Sequence, residues 1–247
     1  MCCNLELCAT NMQALLDAVG NRSVQIHSSK RTDREQMTRI WTQAHRVSIP
    51  HFEAVMRPRG AEGCFLSHQA VAAWLAGPYL VLEDDALPTL ALHDTQHVFH
   101  VIQAMASRQF DVLYLGGLPA ASRVKATDFP GVLEGRCGAT FAMVVSPRAA
   151  QFLRNGSYNN VAVDVQLVRA KQLRTAFVHP PLFVMAETRS DIGKNSFNKS
   201  ETFARVLSSV APVWRSMVVW QNEWLVAVAV LVLVLLCVRL RRPQANG

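Results

Sequence analysis

A four-residue apolar run, Tyr79-Leu80-Val81-Leu82, stands between Gly77-Pro78 and Pro88 and breaks directly into three acids, Glu83, Asp84 and Asp85. So short a run between turn-forming residues fits a strand buried on both faces, as in parallel sheets covered by helices. Open α/β sheets take their ligands just beyond the carboxyl ends of their strands. Three carboxylates at that place are too costly to bury for packing alone. Adjacent acids there suit a hard divalent cation, Mn²⁺ or Mg²⁺, that bridges to a diphosphate. Acidic triplets also occur on solvated turns, so the motif gains meaning only from the text around it.

That text alternates short apolar runs with helical stretches, which predicts βα units and a mainly parallel sheet. Further strands are expected at Val24–His27, Val112–Leu115, Thr140–Val145 and Phe177–Val178. Ser146-Pro147 is a helix start, since serine caps and proline is tolerated at the first helical position, and Asn155-Gly156 ends that helix. Residues 118–135 hold Arg123, Lys125 and Asp128 and read as a long polar flap.

The order of motifs resembles a known family. Gly60-Ala61-Glu62-Gly63-Cys64-Phe65-Leu66-Ser67-His68, then Trp74, then the strand ending in Glu83-Asp84-Asp85, is similar to glycosyltransferase family 25. Lipopolysaccharide-biosynthesis transferases and procollagen galactosyltransferases belong to that family. Upstream, Val24–His27 and Lys30-Arg31-Thr32-Asp33-Arg34 look like its opening strand and Arg-Asp-Arg turn, and His51–Val55 like its next short strand. Downstream, Asp111–Gly117, Gly138–Leu153, Val163-Asp164 and Ser190-Asp191-Ile192 continue the match in order, so that it covers roughly residues 22 to 195. The first strand departs from the pattern, with His27-Ser28 where the family usually has Asn-Leu.

The resemblance implies an α/β fold of the GT-A type, a Rossmann-like sheet flanked by helices. It also implies a hexosyltransferase that moves galactose or glucose from a UDP-sugar to a hydroxyl acceptor with inversion. Glu83, Asp84 and Asp85 would then hold Mn²⁺ or Mg²⁺. Arg31, Arg34, His68, Gly116 and Gly117 would lie on the donor side, the two arginines suiting contacts to uracil or phosphate. Inverting transfer needs a carboxylate that deprotonates the acceptor hydroxyl. Asp164 sits inside the apolar stretch Val161–Val165, where an acid serves as a base, as a ligand contact or as a helix cap; Glu187 and Asp191 are rival bases. Ser67 and His68 are sequence neighbours whose side chains diverge, so they make no nucleophile–base pair.

Two other classes compete. His93 and His97 stand four apart, as in zinc hydrolases, but Asp94 replaces the glutamate that would act as base. A binding protein that keeps the fold without turnover is the second. The net charge of +7 is met by anionic nucleotide and lipid headgroups; with no basic block interleaved with aromatics, nucleic acid is not an expected partner. The six cysteines show no CxxC pairs and no disulfide framework.

Residues 1–22 read as an N-terminal extension with a short amphipathic helix on Leu5, Cys8, Met12, Leu15, Leu16 and Val19, without the marks of a signal peptide. The catalytic domain is expected over 23–200 and an amphipathic juxtamembrane helix over 201–222. Trp224–Val238 is a run of fifteen residues without a polar group, flanked by Trp220 and by Arg239, Arg241 and Arg242. It spans roughly 22 Å as a helix, short of the ~30 Å hydrocarbon core, a gap that snorkelling arginines close. A single-pass anchor at 223–240 in an endomembrane, followed by a basic tail at 241–247, is the expectation, with the lipid bilayer as a partner.

Overall fold

The computed structural model describes residues 5–75, 77–119 and 124–186. Along the chain come α1 (Leu5–Ala18), β1 (Ser23–His27), α2 (Thr32–Ala44), β2 (His51–Glu53), α3 (Gly60–Leu75) and β3 (Tyr79–Glu83). Then follow β4 (Ala86–Pro88), a 3₁₀ turn at Leu90–His93, α4 (Thr95–Ser107), β5 (Val112–Pro119), β6 (Lys125–Ala126) and β7 (Val132–Glu134). The last elements are β8 (Cys137–Val145), α5 (Pro147–Asn155), α6 (Val163–Arg169), β9 (Thr175–Val178) and β10 (Phe183–Met185).

Eight strands form one sheet in the order β2-β1-β3-β8-β5-β9-β7-β6, and β4 pairs with β10 apart from it. β1 is parallel to β2 and β3, and β5 is parallel to β9. β8 lies antiparallel between β3 and β5. Since two reversals restore direction, β1, β2, β3, β5 and β9 all run the same way. The sheet is thus mixed, and mainly parallel in strand direction, with helices on both faces. The reversed β8 is the departure from a plain βα series; its residues read as a buried strand but carry no mark of direction.

Side chains alternate across each strand, and the two faces build two cores. Leu80, Leu82, Leu113 and Leu115 pack with Trp41 of α2, Val98 and Val101 of α4, and Cys8, Met12, Leu15 and Leu16 of α1. Tyr79, Val81, Val112 and Tyr114 pack with Phe65 and Val71 of α3, Ala149 and Leu153 of α5, and Val163 and Leu167 of α6. The N-terminal stretch is therefore no separate extension. Its apolar stripe covers one sheet face, and Asn11 donates to the Leu92 carbonyl at 2.8 Å to dock it.

Helix α5 begins as its sequence predicts: the Ser146 hydroxyl accepts from the Ala149 N–H at 3.2 Å, with Pro147 at the first helical position. The expected flap is largely sheet. β5 runs on to Pro119, and β6 and β7 extend the sheet beyond β9. Residues 120–123 lie outside the described residues, as does everything from 187 on, including the juxtamembrane stripe and the apolar run at 224–238. Among the described residues no helix is long and apolar enough to cross a membrane.

Candidate active site

Parallel β1 and β3 bring their carboxyl ends together, Ile26 opposite Glu83. Because β8 runs the other way, its amino-terminal end arrives at the same edge. The pleat then separates the three acids. Glu83 shares the face of Tyr79 and Val81, which is the α3 side, and the chain turns after it. There Glu83 Oε1 accepts from His68 Nε2 at 3.0 Å and from the Thr140 hydroxyl at 2.6 Å. Burial alone would raise the Glu83 carboxyl. The His68 hydrogen bond and charge, with Thr140 and Arg34, outweigh it and hold the group below its ordinary value.

Asp84 turns toward β1 and α2. Arg34 donates to its Oδ1 at 2.5 Å, and the Ser28 N–H donates to its Oδ2 at 3.3 Å, with His27 Nδ1 at 3.8 Å. The other arm of Arg34 lies 3.2 Å from Asp85 Oδ2. One guanidinium therefore spans two buried carboxylates, the fork geometry that lysine cannot supply. Asp85 Oδ1 is buried and has no hydrogen-bond partner among the described residues. Burial first, then the Glu83 charge and that of Asp84, push the Asp85 carboxyl up to about 7 in spite of Arg34.

The acids are thus adjacent in sequence but do not aim at one point. Among the described residues, the grouping of three potential ligands is Cys64, His68 and Glu83 rather than Glu83, Asp84 and Asp85. A hard cation fits this edge through Asp85, an oxygen donor that is buried, unsatisfied and next to further negative charge. Both Asp84 oxygens are already engaged, by Arg34 and by the Ser28 N–H.

Asp164 lies in the first turn of α6, not inside a strand. Its Oδ1 accepts from the Val165 N–H at 2.7 Å, and its Oδ2 is 3.5 Å from the Ala139 N–H. The residue at the helix start is Ala162 and no side chain caps α6, so Asp164 is not its cap; its side chain is part-buried and its Oδ2 is weakly engaged. Asp164 also belongs to the same neighbourhood: burial, then Glu83, then Asp164 push the Cys64 thiol well above its ordinary range.

Other expected residues land elsewhere. Arg31 makes a two-pronged pair with Asp33, at 2.9 and 3.0 Å. His68 is fully buried against Glu83 rather than lining an open pocket. A Cβ at Gly116 would overlap the Phe183 carbonyl and the Phe141 ring, and one at Gly117 the Cys137 sulfur, so packing dictates both glycines. His97 Nε2 lies 2.9 Å from the Pro180 carbonyl and Asp94 caps α4 through the His97 N–H, so that motif ties a helix to a loop. Ser67 and His68 do diverge: the Ser67 hydroxyl donates to the Gly63 carbonyl and accepts from the Val55 N–H, both at 2.8 Å. Glu187 and Asp191 lie outside the described residues. Ala186, just before them, donates its N–H to the Asp85 carbonyl at 2.7 Å.

Sequence reasoning passed over Thr140, His27 and Ser28, which hold the acids in place. None carries a signal of its own; they act by where the strands end. Cys64 did carry one, since it stands four residues before His68 and so on the same helix face.

No protein-family model matches the chain, and no curated protein matches it. Solved structures do align with the chain. A197 from STIV aligns over 71% of this chain and 100% of its own, at 13% identity and a TM-score of 0.38. HddC from Yersinia pseudotuberculosis aligns over 68% and 74%, at 10% identity and 0.38. A UDP-glucose pyrophosphorylase complexed with UDP-glucose aligns over 81% and 86%, at 12% identity and 0.41.

Proposed function

We propose that this chain is a membrane-anchored, metal-dependent hexosyltransferase of the family 25 type, transferring galactose or glucose from a UDP-sugar to a hydroxyl on a glycan, a lipid-linked glycan or a protein. The observation that carries the reading is Asp85, whose Oδ1 is a buried carboxylate oxygen without a hydrogen-bond partner among the described residues, at the carboxyl end of a sheet strand. Such an atom costs about 1–3 kcal/mol unless something binds it, and a divalent cation with a diphosphate is what this place in an α/β sheet accepts.

In this reading Asp85 holds Mn²⁺ or Mg²⁺, which would neutralise the departing diphosphate. Arg34 orients Asp84 and Asp85 at the end of the strand. Asp164, part-exposed on α6, takes the proton from the acceptor hydroxyl. The run at 224–238 anchors the chain in the bilayer.

The test is UDP release by the full-length chain in detergent, over a panel of UDP-sugars, with and without Mn²⁺. Metal-dependent release that disappears in Asp85→Asn supports the assignment. Undiminished release by that variant at saturating Mn²⁺ sinks it.

A second reading has one observation on its side. Arg34 already bridges Asp84 and Asp85, so the acids are partly neutralised from within. A binding protein without turnover would look the same. Calorimetric binding of Mn²⁺ and a UDP-sugar with no UDP released over hours would favour it.

A further inference from the structure

Cys64 and His68 sit at positions i and i+4 of α3, and both face the carboxyl end of β3. The Cys64 sulfur, an imidazole nitrogen of His68 and a carboxylate oxygen of Glu83 all lie within 4.8 Å of one another. Cys64 forms no disulfide, and it and Glu83 are part-exposed while His68 is wholly buried. His68 Nδ1 has no hydrogen-bond partner among the described residues, although its surroundings exclude solvent. The imidazole is therefore an under-satisfied polar ring held beside a thiol and a carboxylate.

We propose that Cys64, His68 and Glu83 form a site for a thiophilic divalent cation, Zn²⁺ by its chemistry, distinct from the hard-cation position at Asp85. Zinc takes sulfur at about 2.3 Å and nitrogen or oxygen at about 2.0–2.2 Å, so tetrahedral ligand atoms stand roughly 3.4–3.6 Å apart. The separations here, from 3.0 Å between His68 and Glu83 up to 4.8 Å, bracket that spacing and need only small side-chain adjustments.

Charge favours the same occupant. A thiolate, a carboxylate and a neutral imidazole carry −2, and one divalent cation brings the buried site to zero. Binding releases the thiol proton, displaces the Nε2 proton of His68 so that the neutral ring keeps its proton on Nδ1, and replaces the hydrogen bond between His68 and Glu83 with two metal bonds. The thiolate selects against Mg²⁺ and Mn²⁺, which prefer oxygen donors, so the two positions do not exchange cations. Three protein ligands leave a fourth position for water. Metal here would clamp α3 to the end of β3 and remove the repulsion between Glu83 and Asp85.

The test uses the full-length chain in detergent, stripped with a chelator and titrated with Co²⁺ as a spectroscopic stand-in and then with Zn²⁺. The site predicts a thiolate-to-cobalt charge-transfer band, its loss on adding Zn²⁺, and one zinc per chain that survives gel filtration. Cys64→Ser should lose the band and the bound zinc, whereas Cys137→Ser should keep both. Circular dichroism of each variant shows whether it is folded. Should Cys64→Ser fail to fold, protection of Cys64 from iodoacetamide by Zn²⁺ in the unaltered chain, read by peptide mass, replaces it. A band that persists without Cys64, or equal alkylation with and without Zn²⁺, overturns the site. Neither result bears on UDP release, so this inference and the proposed transferase activity fail separately.

Discussion

In the proposed transfer Asp85 is the residue that would hold the metal, and its protonation gives a test independent of turnover. Its carboxyl titrates at about 7 in the fold, against an ordinary 3.8. Between those values the folded chain holds a proton that the unfolded chain has released. This contribution to stability is therefore complete below about pH 4 and is lost as the pH rises through 7. For metal-free protein, the melting temperature should fall across that window, and Asp85→Asn should flatten the fall; equal slopes in both would show that Asp85 does not carry the extra proton. Mn²⁺ reverses the preference, because it needs the carboxylate, so its affinity should climb with pH up to about 7. Asp164 makes a separate prediction. Asp164→Asn should lower turnover by roughly 10²–10⁴-fold with little change in donor affinity, as loss of a general base does. A collapse of donor binding instead would make Asp164 a ligand contact. The acids themselves were plain in the sequence, as three charges ending an apolar strand. Their divergence was not, since it follows from the pleat at Glu83 and from Arg34, whose partners lie 50 residues away.

At the scale of elements, the edge is assembled by close approaches that small residues permit. A Cβ at Gly63 would strike the Val55 carbonyl, so α3 can lie against the chain after β2 only with glycine there. That contact sets the height of α3, and with it the positions of Cys64 and His68. Helix α1 matters for a different reason. Leu15 is completely buried and helps cover the sheet face opposite α3. Leu15→Ala should cost about 2–5 kcal/mol, read from urea unfolding of the full chain. A cost under about 0.5 kcal/mol, typical of surface positions, would mean that α1 belongs to a separate N-terminal extension, as its sequence suggested. The amphipathic stripe of α1 was legible, but what it covers was not, because periodicity fixes a helix's apolar side without naming the partner. The same limit applied to β6 and β7: two- and three-residue strands are too short to show alternation, so a polar stretch read as a flap.

Over the whole molecule, the α/β class was legible from alternating apolar runs and turn residues, and strand positions held to within a few residues. The reversal of β8 was hidden, since a strand buried on both faces reads alike in either direction. The proposed membrane attachment rests on the apolar run at 224–238, and it yields a separable prediction. Truncation after Glu223 should convert a protein that resists alkaline carbonate into one released by it, while the acids and Asp164 stay intact. If the truncated chain remains in the pellet, the anchor lies elsewhere. If the full-length chain is already released, Trp224–Val238 is a core helix.

The placement of β8 between β3 and β5 has a consequence in time. Glu83 takes its hydroxyl partner from Thr140, 57 residues further on, and Asp111 is met by the N–H of Arg174, 63 residues beyond Asp111 itself. During synthesis the stretch through Asp85 leaves the ribosome well before β8 exists to pair with β3. The hydrophobic flank of β3, Leu80 to Leu82, must wait unpaired on that side, and closing so long a loop is slow. The nascent chain is thus most exposed to aggregation and to chaperone capture after residue 85 and before residue 145 has emerged, and arrested chains of those two lengths should differ sharply in protease resistance.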